Sequence, residues 1–145
     1  MPSINVVLID DEKSLRDVIE DGLVGLFGCN VRAVSDGESG QACLRERSAD
    51  VLLVDLLMPG LNGFDVLERL QSGEELAHRP EKVIAMSALT DSDTMQVLRG
   101  LGVDSVLSKP FSLKELRLAL GLGEPGVYRT RVPMRPVTQS VFSAT

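Results

Sequence analysis

Five short apolar runs alternate along the chain with longer stretches of helical period. Asn5-Val6-Val7-Leu8-Ile9 is almost wholly apolar, the pattern of a strand buried on both faces. Leu15, Val18, Ile19, Leu23 and Leu26 follow at i, i+3, i+4, i+8 and i+11, which predicts one face of a helix ended by Gly28. Asn30–Val34 reads as a second strand, and Ser35 with Glu38 as a capping box opening a second helix. Asp50–Val54 is the third strand, closed by the Met58-Pro59-Gly60 loop, before a third helix carrying Phe64, Leu67 and Leu70. Val83–Met86 is the fourth strand. The fourth helix carries Val97, Leu98 and Leu101 and stops at Gly102. Ser105–Leu107 is the fifth strand, and Ser112 with Glu115 caps a fifth helix carrying Leu113, Leu116 and Leu120. No two strands are close enough to form a hairpin. The chain is therefore α/β, a (βα)₅ unit whose helical crossovers make an open five-stranded parallel sheet with helices on both faces.

Composition agrees with one domain: 145 residues, 43% hydrophobic and 25% charged. Nothing approaches the length of a membrane span, and the Met-Pro-Ser-Ile-Asn start lacks the regions of a signal peptide. Cys29 and Cys43 form neither a metal-ligand spacing nor a disulfide framework. They read as small buried hydrophobes in a reducing cytoplasm. The net charge of −6 argues against nucleic-acid binding by this chain, and the charge is unevenly spread. Residues 1–124 hold 12 basic and all 21 acidic residues, a net −9, whereas residues 125–145 hold Arg129, Arg131 and Arg135 and no acid. Three of the seven prolines also fall in that last segment. We expect a domain over residues 1–122 and a basic, proline-containing tail or linker over 123–145.

Ligand sites in open parallel sheets lie beyond the carboxyl ends of the strands. Here those ends carry Asp10-Asp11-Glu12, Asp55, Ser87-Ala88 and Ser108-Lys109-Pro110. Two carboxylates about 4 Å apart repel by about 4 kcal/mol at an effective dielectric near 20. Gathering three of them serves no structural end unless a cation offsets the repulsion. All-oxygen ligation suits Mg²⁺ (or Mn²⁺). Beside such an ion Asp55 can act as a nucleophile toward phosphorus, and Lys109 can neutralise charge on the phosphoryl oxygens. Ser87 can donate a hydrogen bond to one of those oxygens.

Five motifs together carry a family resemblance: Ile9-Asp10-Asp11-Glu12, Val54-Asp55-Leu56-Leu57-Met58-Pro59-Gly60, Asn62-Gly63, Met86-Ser87-Ala88, and Gly102-Val103-Asp104 leading to Lys109-Pro110-Phe111. Residues 4–121 resemble the receiver domain of bacterial two-component response regulators. The resemblance implies a flavodoxin-like fold with strand order 2-1-3-4-5. It implies that Asp55 accepts a phosphoryl group from a sensor histidine kinase or a histidine phosphotransfer protein. Asp11, Asp55 and the backbone carbonyl of Leu57 would ligate the ion, with Asp10 acting through a metal-bound water. Ser87, followed by Ala88, takes the switch position, Lys109 the lysine position, and Lys109-Pro110 a cis bond. The output surface would be helix 4, strand 5 and helix 5, read by a downstream protein partner.

The pattern departs from the family in places. Val106 stands where an aromatic ring usually serves the switch. Leu57 and Leu89, two residues past Asp55 and Ser87, are apolar and cannot orient an attacking water, which predicts slow loss of the phosphoryl group. The single histidine, His78, reads as a surface residue. Tyr128 to Met134 alternates like an extended strand. It could be an arm pairing with a sheet edge or a second protomer (a homodimer), a basic arm on an acidic partner, or a linker. The expected function is a stand-alone cytoplasmic phosphoacceptor, not a turnover enzyme and not a membrane or nucleic-acid binder. The alternative is the receiver part of a DNA-binding regulator whose output domain lies outside this chain. A hydrolase using an aspartyl phosphate would place an acid where Leu57 stands. A flavin protein would not put three acids at its phosphate loop.

Overall fold

The computed structural model describes residues 3–73 and 79–122. His78 and the tail from residue 123 lie outside the described residues. The strands β1 (Asn5–Ile9), β2 (Asn30–Val34), β3 (Val51–Asp55), β4 (Lys82–Ser87) and β5 (Ser105–Ser108) form one parallel sheet in the order β2-β1-β3-β4-β5. The helices α1 (Lys13–Asp21), α2 (Gly37–Glu46), α3 (Gly63–Gln71), α4 (Ser92–Gly100) and α5 (Leu113–Ala119) connect and follow them.

The two-residue period of the strands divides the core. Val7, Ile9, Leu52, Val54, Ala85 and Val106 face one way, onto α2, α3 and α4 through Leu44, Val66, Leu67, Met95 and Leu98. Val6, Leu8, Leu53, Ile84, Met86 and Leu107 face the other way, onto α1 and α5 and the residues that close them, through Ile19, Leu23, Leu116 and Leu120. Both faces are covered, so the three inner strands have no polar side to present, and their sequences are unbroken apolar runs. Burying each large side chain contributes about 1.5–3 kcal/mol.

Local chemistry moved several boundaries. Strand β3 begins at Val51, one residue later than expected; Asp50 before it bonds Asn5 and Lys82 through its backbone, and its carboxylate accepts from the Asn5 N–H at 2.8 Å. The strand runs on to include Asp55, and β4 likewise runs on to Ser87. Helix α2 is not capped by Ser35: Asp36 does so, accepting from the Ser39 N–H at 2.7 Å. The face expected over residues 15–26 is also narrower. Ile19 and Leu23 are buried, but Val18, within α1, and Leu26, in the π-turn that Gly22–Leu26 forms after it, are exposed. In α4, Met95 and Leu98 take the core positions and Val97 is exposed. Cys29 is buried, whereas Cys43 is only half-buried against the core. The Ser112 cap of α5 and the Gly102 stop after α4, with φ of 80°, stand where the sequence puts them.

Candidate functional site

The acidic turn after β1 is built by its own hydrogen bonds. The Asp10 N–H donates to Val34 O at 3.1 Å, which carries the strand pairing one residue further. Asp10 Oδ1 accepts from the Glu12 N–H at 2.9 Å, and Arg16 Nη1 donates to the Asp10 carbonyl at 2.7 Å. Asp10 is wholly buried, and Asp11 beside it is exposed. Register places Asp55 opposite Met86, at the end of the central strand. Helix α3 starts against that strand end. A Cβ on Gly63 would run into Asp55 O, so this close approach requires glycine. The Asn62–Asp65 capping box then fixes the helix start.

Asp10, Asp11 and Asp55 each offer an oxygen within 4.8 Å of the others. Lys109 Nζ lies 3.3 Å from Asp10 Oδ2 and 3.3 Å from Asp55 Oδ1. Two carboxylates therefore share one ammonium, with the third, Asp11, beside them. Burial pushes the Asp55 carboxyl up to about 6; Lys109 opposes the shift, and Asp10 and Asp11 add to it. Burial alone would lower the Lys109 ammonium, but the facing Asp10 and Asp55 carboxylates outweigh it and hold the lysine above its ordinary value. At neutral pH Asp55 is mainly ionised, and the oxygen-only donor set suits a hard divalent cation. An exposed edge at Asp11, with Asp10 and Asp55 buried, leaves the cluster approachable from one side.

The other expected residues fall nearby in different conditions. Ser87 is buried, and its hydroxyl pairs with the backbone of Leu89. It accepts from the Leu89 N–H at 2.8 Å and donates to the Leu89 carbonyl at 3.0 Å. Its described bonds do not reach the carboxylates. Ala88 is exposed beside it. The Lys109-Pro110 peptide is cis, and Val106 is fully buried beneath the sheet surface. Leu57 and Leu89 are 55% and 40% exposed, so the two apolar positions lie at the surface rather than in the core. Arg16 is a contributor that the sequence reading missed. Its only signal was a basic residue six positions after the first acid.

A family model described as the response regulator receiver domain matches residues 6–121. The chain is 34% identical over 112 residues to a probable transcriptional regulator, ycf27, of Porphyridium aerugineum, covering 77% of this chain and 44% of that protein. It is 33% identical over 113 residues to the DNA-binding response regulator MtrA of Mycolicibacterium paratuberculosis, covering 77% and 47%. The chain thus spans about half the length of the curated relatives it matches. Among solved structures, the Vibrio cholerae chemotaxis protein CheY4 superposes with a TM-score of 0.73 at 22% identity, over 82% of this chain and 97% of that one. The receiver domain of the Pseudomonas aeruginosa sensor histidine kinase PA1611, solved with a magnesium ion coordinated in its active site cleft, gives 0.71 at 25% identity, over 82% and 95%.

Proposed function

The chain belongs to the response regulator receiver domain family of two-component signalling, and on that premise we propose that Asp55 is its phosphoacceptor. The observation that carries this reading is the single ammonium of Lys109, shared by Asp10 and Asp55 beside a third carboxylate. Asp10, Asp11 and Asp55, with the backbone carbonyl of Leu57, would hold Mg²⁺ (or Mn²⁺). Bound there, the ion would offset charge on the carboxylates and on the phosphoryl oxygens. A carboxylate oxygen of Asp55 attacks phosphorus. An O–P bond forms as the N–P bond of a phosphohistidine donor breaks, and the imidazole leaves with the bonding pair. Lys109, already against Asp55, neutralises the phosphoryl oxygens as they crowd in. The donor is a sensor histidine kinase or a histidine phosphotransfer protein.

Ser87 has one hydroxyl proton, which it now gives to Leu89. Donating to a phosphoryl oxygen instead would release the loop after β4. With Val106 in the ring's place, that loop and Ser87 carry the change to α4, β5 and α5, where a downstream protein would read it. The exposed Leu57 and Leu89 give an attacking water no polar partner, so the modified state is long-lived.

Domain limits of 1–122 and 123–145 belong to this reading, as does a cytoplasmic location. No helix among the described residues is long and apolar enough to cross a membrane. A second reading has its own support. The curated relatives are about twice as long and are described as transcriptional or DNA-binding regulators, which favours a receiver attached to an output domain over a stand-alone one. Incubation with acetyl phosphate and Mg²⁺ tests the main reading. We expect one phosphoryl mass on the native protein and none on Asp55→Asn. No gain on the native protein overturns it.

A further inference from the structure

Of the three clustered carboxylates, Asp11 is the one that its own contacts hold least. Asp10 and Asp55 are buried and bonded to Lys109, whereas Asp11 is exposed and makes no ion pair among the described residues. Its place depends on the backbone that carries it. The carbonyl of Asp10 and the N–H of Asp11 belong to one peptide plane. Arg16 Nη1 grips that carbonyl at 2.7 Å from a part-buried position one turn into α1. The Asp10 N–H is fixed on Val34 O upstream, and the Glu12 N–H on Asp10 Oδ1 downstream. With Arg16 in place, the turn is tied at each of its peptides. Without it, the plane leading into Asp11 would keep only its flanking ties.

We propose that Arg16 is a positioning residue for the divalent-cation site: its guanidinium sets the Asp10–Asp11 peptide and so aims the Asp11 carboxylate at the cluster before any ion arrives. The proposal rests on the metal-site reading above. A long cationic side chain suits the task because it carries a donor back from α1 to the Asp10 carbonyl, and it keeps its charge at every relevant pH. The bond goes to a backbone oxygen, so Arg16 does not compete with Lys109 for the carboxylates. Groups that orient a ligand in this way are worth about tenfold or more in metal affinity.

Two variants separate the bond from the packing of the side chain. Arg16→Met keeps an apolar stem of similar reach without a donor, and Arg16→Lys keeps a donor and the charge. Titration of the full chain with MgCl₂ by calorimetry should show Arg16→Met binding about tenfold more weakly than the native protein, with Arg16→Lys close to native. In EDTA, hydrogen exchange at the Glu12 amide should quicken in Arg16→Met, a readout that needs no ion. Native-like affinity in Arg16→Met overturns the proposal, and so does equal weakening in both variants, which would assign the effect to packing. If the native chain itself binds no Mg²⁺, the metal-site reading fails instead. The exchange result at Glu12 still tests the tether.

Discussion

The two rims of the sheet are both polar, and they use charge in opposite ways. At the amino rim Asp50, Asp104, Arg32 and Lys82 each meet a neutral backbone group. The Asp50 carboxylate takes the Asn5 N–H, and the Asp104 carboxylate takes the Val83 N–H at 2.8 Å. Arg32 donates to the carbonyls of Cys43, Arg47 and Ser48, and Lys82 to the carbonyl of Leu120. These are caps for chain ends, and they leave the local charge dispersed. At the carboxyl rim charge faces charge, three carboxylates to one ammonium. The larger cavity is on the structural side. The space between Asn5, Asn30, Arg32 and Arg47 measures about 520 Å³, against about 350 Å³ for the one beside Lys109 and Phe111. Volume alone points to the amino rim. Uncompensated charge points to the carboxyl rim, because a fold keeps it where something else completes it.

The sharpest way to break that contrast is to remove one cation from each rim. Lys109→Met leaves the fully buried Asp10 and the nearly buried Asp55 without their ammonium, and should cost about 3–5 kcal/mol in metal-free buffer at pH 7.5. Excess MgCl₂ should return part of the loss. Arg32→Met frees three carbonyls near water and should cost about 1–2 kcal/mol whether or not magnesium is present. Urea midpoints with and without EDTA measure both. A magnesium-dependent loss at Arg32 would end the distinction between the rims.

Asp55→Asn reads the same strain with the opposite sign. Folding raises the Asp55 carboxyl from an ordinary 3.8 to about 6, so the fold prefers it protonated. Below about pH 4 both states hold the proton and nothing is lost. As the pH rises from about 4 to about 6 the metal-free native protein loses stability, and above that the penalty is constant. It amounts to at most about 3 kcal/mol. Asp55→Asn should therefore be more stable than the native protein in EDTA at pH 7.5 and no more stable at pH 4. A variant equally stabilised at both pH values would place the cause elsewhere.

Next in size is an effect on rate. Leu57→Asn puts a polar side chain at the exposed edge of the acidic cluster, where it can hold a water. Loss of the phosphoryl group should quicken by about tenfold, equivalent to about 1.4 kcal/mol of barrier. The decay of phosphorylated protein after donor removal measures it, and an unchanged or slower decay would remove Leu57 from the account.

The contrast between the rims was only half legible in the sequence. The acids at Asp10, Asp11 and Asp55 and the lysine at 109 could be read because strand ends put them on one edge whatever the packing. The five strands could be read because burial on both faces leaves an unbroken apolar run. What could not be read depended on rotation and on side chains folding back on the backbone. Val18 and Leu26 satisfy a helical period, yet both are exposed, Val18 within α1 and Leu26 in the π-turn after Asp21. Asp36 rather than Ser35 caps α2 because the shorter path to the Ser39 N–H belongs to it. Asp50 turns to Asn5, and Arg16 reaches back to Asp10, through contacts that no linear pattern encodes. The Ser87 hydroxyl, expected to donate to a phosphoryl oxygen, bonds the Leu89 backbone in this structure, a local contact that no linear pattern encodes either.

The smallest expected effect tests the claim that the amino rim is satisfied. Ser105 opens β5 there, fully buried, and its hydroxyl has no hydrogen-bond partner among the described residues. It occupies a strand position whose neighbour on the same face, Leu107, packs into the core against α1 and α5. A buried hydroxyl that bonds nothing has given up its water for no return, a cost of about 1 kcal/mol or more. Alanine removes the hydroxyl and leaves a hole smaller than a methyl group. Ser105→Ala should therefore raise the urea midpoint by the equivalent of about 0.5–1 kcal/mol, with the dependence on denaturant unchanged and no response to MgCl₂. A loss of stability would mean that the hydroxyl has a partner after all, such as a buried water. The amino rim would then hold a polar site of its own.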